Sequence, residues 1–190
     1  MRMDFLSSLR NKTGAAHQAL HHHPSFMKLD SGENVNNDYL LNVYSKLYYF
    51  HSTLETRALV SSYGSFYTEN STPILDNLRH DISLLGGSIE ETKVHNFCQL
   101  EMNDFESIWA YLYFKEGSLI GGQVIQKTLT KNFELYDQRL RHFSGLKKHT
   151  SKNWKNFINT MLKSTEDLDQ DLIISNTNKL FSDLHNWLDV

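Results

Sequence analysis

An arginine and a histidine near the start of the chain are spaced so that they can bind one ligand together. Arg10 and His17 are seven residues apart, which in a helix places them on one face, about 10 Å apart along the axis. An imidazole can ligate a metal, and a guanidinium can hold a carboxylate at the rim of the same ligand. A solvated or core histidine is the alternative interpretation of His17 taken alone.

Three glycines fall within six residues of a stretch with helical spacing, at positions 117, 121 and 122. Each glycine inside a helix costs about 1 kcal/mol relative to alanine, so this stretch gives up roughly 3 kcal/mol of helix stability. Gly117 and Gly121 lie one turn apart, and their bare face lets either a flat ligand or another helix reach the backbone. A phosphate loop does not fit, because no strand precedes the glycines and no Gly-Lys-Ser/Thr follows them.

Two other features have the residue types of metal sites or nucleophiles. His21, His22 and His23 are consecutive, so on a helix they point in different directions and cannot all reach one ion. We expect most of them to be solvated, with His21 nearest the His17 site. Cys98 is the one cysteine and cannot form an internal disulfide, which indicates a reducing cytoplasm.

Length and composition predict one globular domain over residues 1–190. Hydrophobic residues make up 39% of the chain and charged residues 22%, which is ordinary for such domains. The net charge of −3, with scattered Lys and Arg, argues against a nucleic-acid groove. The sequence contains no apolar run of the roughly 20 residues that span a membrane. It also has no recognisable signal peptide, so we expect a cytoplasmic protein.

Apolar residues recur at helical spacing along the chain, which contains only two prolines, and this predicts an all-α fold. Caps at Asp4 and at 36–38 predict the first two helices, and His23-Pro24 ends or kinks the first. A third helix is predicted from Thr72-Pro73 to Gly86-Gly87, followed by a loop to about 103. Later helices are predicted over 104–129, with its glycines allowing a kink, and over 151–163 and 165–188.

Three segments resemble heme oxygenases in the same order. Residues 9–20, LRNKTGAAHQAL, resemble the first helix of that family, in which a basic residue and a threonine precede the proximal histidine. Residues 39–55, YLLNVYSKLYYFHSTLE, are similar to its second long helix. Residues 109–125, WAYLYFKEGSLIGGQVI, resemble its glycine-rich distal helix. The matching blocks cover about the first 130 residues, and the fold they imply is a single-domain helical bundle with a kinked distal helix.

The resemblance implies which residues bind heme. His17 matches the histidine that ligates the iron, and Thr13 the threonine of the same motif. The backbone of Gly117, Gly121 and Gly122 would lie against the distal face of the heme. Further contacts to the heme propionates are implied for three residues: Arg10, Tyr113 and Lys155.

The resemblance also implies an activity, in which heme is both substrate and prosthetic group. Heme oxygenases cleave heme to biliverdin, carbon monoxide and ferrous iron, using O2 and electrons from an external reductase or ferredoxin. Biliverdin can then supply a photoreceptor. By this resemblance Gly117, Ser118 and Gly121 would be the catalytic residues of the distal helix.

Ser118 leaves a second hypothesis open. Animal heme oxygenases carry an aspartate at this position, whereas bacterial members resemble this chain. Serine orders water but is no ready proton acid, so a heme carrier or sensor with little turnover is the alternative. Thiamin-degrading relatives of the same fold need a nucleophilic cysteine, which Cys98 in a predicted loop matches poorly.

Overall fold

The computed structural model describes residues 4–90, 97–132, 140–143 and 151–190. Within these ranges every regular element is a helix, which confirms the predicted all-α class. The helices are α1 (Phe5–His21), α2 (Pro24–Ser31), α3 (Asn37–Val60), α4 (Gly64–Asn70), α5 (Leu75–Leu84), α6 (Phe105–Asn132), α7 (Ser151–Ser164) and α8 (Gln170–Asp189). None of the helices described is both long enough and apolar enough to cross a membrane.

Side-chain caps fix the starts of three helices. Oδ1 of Asp4, Asn36 and Asp104 each accepts a hydrogen bond from the backbone N–H three residues later, at 2.8, 2.8 and 2.7 Å respectively. Each bond satisfies a donor that the first helical turn leaves free. The predicted starts of α1, α3 and α6 are therefore confirmed.

The His23-Pro24 pair both ends α1 and starts α2. The predicted end of the first helix is confirmed, but α2 was not predicted. Pro24 occupies the first turn of α2, where its missing N–H costs nothing. Nδ1 of His23 accepts the N–H of Ser25 at 3.1 Å and caps the new helix.

The predicted start of the third helix at Thr72-Pro73 is wrong, because α5 begins at Leu75. Thr72 does not cap it. Its N–H and hydroxyl donate instead to the Glu116 carboxylate on α6, at 2.8 and 3.0 Å. A bond to a residue distant in sequence thus replaces the local cap.

The predicted start of the last helix at Thr165 is also wrong. The N–H and hydroxyl of Thr165 both donate to the Met161 carbonyl, at 3.0 and 2.9 Å, and so continue the last turn of α7. The last helix, α8, begins at Gln170, where Asp169 Oδ1 accepts the N–H of Leu172 at 3.0 Å.

The helices α1 and α6, which carry most predicted site residues, are both supported by α8. Packing joins α8 to each of them. The first half of α6 lies in the core, where residues 108–112 are each 0% exposed. Its helix is continuous through the three glycines, so they do not end it.

Residues 140–143 are held to the bundle by Asp81 of α5. The Asp81 carboxylate is fully buried and accepts the N–H groups of Arg141 and His142 at 2.7 and 2.6 Å. Burial raises the pKa of this carboxyl, and hydrogen bonds from His80 and the two N–H groups oppose the rise. The anchored segment packs His142 and Phe143 against Tyr44 of α3.

We predict that Asp81→Asn destabilises the protein by about 2–3 kcal/mol, because the amide cannot accept both N–H groups and one buried donor loses its partner. Thermal melts with circular dichroism measure the loss. Asp76→Asn on the same helix is the control. Asp76 is exposed and pairs with Arg79 at 3.2 Å, so its removal should cost less than about 1 kcal/mol. Equal losses in the two variants would contradict this account.

Candidate functional site

His17 stands on the exposed side of α1, in a T-shaped contact with the ring of Phe181 on α8. The two ring centroids are 5.3 Å apart and the planes meet at 84°. Partial burial lowers the pKa of His17, and the neighbouring charge of His21 lowers it further. The neutral imidazole is therefore favoured at neutral pH, and this is the form that ligates a metal.

Phe181 links the histidine to the glycine-bearing helix. Its ring also contacts Phe114 of α6, at a centroid distance of 5.1 Å. His17 and the turn of α6 that precedes Gly117 therefore both pack against the ring of Phe181. This role could not be predicted from the sequence, because the helical repeat that contains Phe181 indicates that the residue is buried but not which helices it contacts.

The structure brings together two residues that were predicted separately to contact one ligand. The guanidinium of Arg10 on α1 lies close enough to the hydroxyl of Tyr113 on α6 to affect its pKa. Burial raises the pKa of Tyr113, and the guanidinium opposes that rise. Arg10 is itself exposed, so a cation on α1 and a phenol on α6 lie near each other. Such a pair suits a carboxylate.

Thr13 and Lys155 lie in different surroundings. Thr13 is buried and its hydroxyl donates to the Leu9 carbonyl at 2.8 Å, so its bond is made within α1. Lys155 is exposed on α7, next in sequence to Trp154. Trp154 lies near Tyr113, with ring centroids 5.9 Å apart, which brings α7 to the same edge as Arg10.

The glycines on α6 have different neighbours. A Cβ added at Gly117 would lie 3.7 Å from Cη2 of Trp154, in ordinary contact, whereas one at Gly121 would meet no described atom within 4 Å. Gly117 is thus next to a helix neighbour, and Gly121 leaves bare backbone at an exposed position. Gly122 is buried. The contact of Trp154 with Gly117 could not be predicted, because nothing in the sequence pairs α7 with Gly117.

Ser118 is exposed, and its hydroxyl donates to the Lys115 carbonyl at 2.7 Å. The hydroxyl proton of Ser118 therefore makes a hydrogen bond within α6. The oxygen keeps lone pairs that can accept a hydrogen bond from water.

The three consecutive histidines, residues 21–23, lie in different surroundings. His21 and His22 are exposed, whereas His23 is buried, with Nε2 2.9 Å from Asp189 Oδ1. Because Nδ1 of His23 accepts the N–H of Ser25, its proton is on Nε2. Among the residues described, no three His, Cys, Asp or Glu side chains are placed to hold one metal ion.

Comparison with known proteins identifies the family. The model of the family described as heme oxygenase matches residues 3–189. The chain belongs to the heme oxygenase family. No curated protein sequence gives a significant match.

Two solved heme oxygenases share the fold. Heme oxygenase from Leptospira interrogans is 16% identical, with a TM-score of 0.71 and 98% of each chain covered. Heme oxygenase-1 from the cyanobacterium Synechocystis sp., solved in complex with heme, is 18% identical, with a TM-score of 0.71, and the match covers 98% of this chain and 91% of that one. At these identities the likeness shows the fold.

We predict opposite effects of leucine at the two glycines in the ligand-free protein. Gly121→Leu should keep its stability or gain up to about 1 kcal/mol from helix propensity, since no described atom opposes the side chain. Gly117→Leu should lose about 1–3 kcal/mol, because it must displace Trp154. Thermal melts compare the two. A large loss in Gly121→Leu would show that this glycine also serves helix packing.

We predict that His21→Ala raises the pKa of His17, because it removes the neighbouring positive charge that disfavours protonation. The pKa should stay below the ordinary histidine value, since burial is the larger cause and remains. Imidazole resonances followed by NMR against pH report the change, with His22→Ala as the control. An unchanged His17 titration in His21→Ala would contradict this assignment of causes.

Proposed function

We propose that this member of the heme oxygenase family binds heme through His17 and oxidatively cleaves it to biliverdin, carbon monoxide and ferrous iron. The observation that carries the proposal is the placement of an exposed imidazole on α1 and bare backbone at Gly121 on α6, both supported by α8. Electrons would come from an external reductase or ferredoxin, and O2 is the co-substrate. We place the reaction in the reducing cytoplasm, with a biliverdin-using photoreceptor as a candidate recipient.

The residues at this site fit heme. The lowered pKa of His17 favours the neutral ligand form, and the open space at Gly121 permits a flat ring close to the helix backbone. The exposed Arg10 beside Tyr113 supplies donors for propionate groups. Lys155 on α7 is a further cation on the side of Trp154.

Each residue then has a distinct task. Heme supplies the iron that binds oxygen and the ring that is oxidised. His17 holds the iron, and Arg10 with Tyr113 fixes the rotation of the ring in its plane, which decides which ring carbon is attacked. Gly121 would let the ring approach the α6 backbone, and Gly117, one turn earlier and next to Trp154, would lie at the edge of this contact.

Ser118 positions water in this proposal and is not an acid. Its proton is held by the Lys115 carbonyl, so its oxygen accepts a hydrogen bond from a water molecule, and protons reach the site through water. The same bond favours the second candidate function, a heme carrier or sensor with slow turnover. The two functions differ in whether a reductant makes the protein consume its heme.

The test is to add heme and a reductant under air and follow the absorption spectrum. The wild type should lose the heme band and gain a biliverdin band. We predict that His17→Ala lowers the rate by about 100-fold or more, because the iron loses its axial imidazole, while alanine preserves the helix. Circular dichroism checks the fold, and His22→Ala is the matched control.

Three other results have definite meanings. A wild type that binds heme but never consumes it would be a carrier. Cleavage by His17→Ala at the wild-type rate would show that another residue holds the iron. Failure of the wild type to bind heme at all would overturn the proposal.

A further inference from the structure

A buried lysine lies two residues before the first glycine of α6, and the proposed reaction gives it no task. Lys115 is 0% exposed. Its ammonium donates to Glu55 Oε1 on α3 at 2.7 Å, to Tyr67 on α4 at 2.9 Å and to Ser71 at 2.6 Å. An ammonium has three donors, so every donor has an acceptor. We call these four residues the Lys115 cluster.

The charge of the cluster is balanced by one close carboxylate. Burial lowers the pKa of Lys115, and the charge of Glu55 opposes this. The Glu55 side chain is only 12% exposed, so neither partner can find much water if the other is removed. A fully satisfied polar group in a dry interior fixes one arrangement of the elements that it joins.

The next residue of α6 anchors the helix to the same segment. While Lys115 donates to Ser71, the Glu116 carboxylate accepts both the N–H and the hydroxyl of Thr72. Two successive helix residues of opposite charge therefore bind two successive residues of the α4–α5 connection. Such a double attachment resists both sliding and rotation of α6 at this point.

The double attachment lies where α6 passes from a completely buried stretch to a glycine-rich one. Before it, residues 108–112 are completely buried. After it come Gly117, Gly121 and Gly122, each of which lowers the intrinsic stability of the helix. The Ser118 hydroxyl also returns to the Lys115 carbonyl, so the glycine segment starts from the residue that the cluster fixes.

We propose that Lys115 and Glu55 are positioning residues that set where the glycine segment of α6 lies relative to α1. Neither is a catalytic residue, because both act through the helix backbone. The link to heme rests on the proposed function, whereas the effect on the helix does not. The alternative is that the ion pair only stabilises the fold.

Two variants separate these roles. Lys115→Met leaves Glu55 buried without its cation, and its melting temperature should fall by roughly 10 °C. The double variant Lys115→Met, Glu55→Gln removes both charges and should recover much of that loss. Lys127→Met is the control, since it removes an exposed cation from the same helix.

The deciding measurement is amide hydrogen exchange across residues 117–122 in the heme-free double variant. We expect exchange about tenfold faster or more there, with α8 and the Lys127→Met control unchanged. Wild-type exchange in a double variant would overturn the positioning role and leave only stabilisation. Since no heme is present, this result is independent of whether the chain cleaves heme.

A second measurement tests the consequence for the ligand. If the wild type cleaves heme, the double variant should give a changed mixture of biliverdin isomers, because the backbone above the ring has moved. An unchanged isomer mixture together with faster exchange would contradict the claim that the segment's position matters to heme. Inactivity of the wild type would overturn the proposed function alone.

Discussion

The structure depends on one constraint on helix α6. Most of its faces must be buried in the core, and one face must present backbone without side chains. Side chains such as Trp109 and Leu112 fill the core on its first turns, and hydrophobic burial there holds the helix in place. At Gly121 the same helix presents backbone with no described atom near the missing side chain. A ligand or a neighbour that covers this face recovers the stability that glycine gives up.

The partners of α6 explain how a helix can tolerate that loss. Before the glycines, Lys115 and Glu116 bind it to α3 and to the α4–α5 connection. Trp154 of α7 covers Gly117, and Phe181 of α8 packs against Phe114 while supporting His17. Two of the helices that pack against α6, namely α7 and α8, thus also contact residues of the candidate ligand site.

Local signals predicted more of this molecule than long-range ones. Asp4 and Asn36 cap helices through bonds to residues three positions away, so the sequence predicts those starts. Thr72 resembles a cap as closely, but its donors bind Glu116, 44 residues away, and the predicted helix start is wrong.

At the candidate site, too, features within one helix could be predicted from the sequence and contacts between distant residues could not. Arg10 and His17 are spaced on one helix, and their shared face could be predicted. The partners of that face on α6, α7 and α8 could not be predicted from spacing, nor could the Lys115–Glu55 ion pair, which joins residues 60 positions apart. Only the family resemblance predicted that the glycine-rich helix lies opposite His17, because residue spacing does not show which helices face each other.

The central claim is that heme lies between α1 and α6 with its iron on His17, and a crystal structure of the protein with heme tests it most directly. The account predicts an imidazole nitrogen of His17 at bonding distance from the iron, the α6 backbone at Gly121 against the opposite face, and a propionate beside Arg10. Iron bound by His21 or His22, or heme elsewhere on the surface, would contradict it.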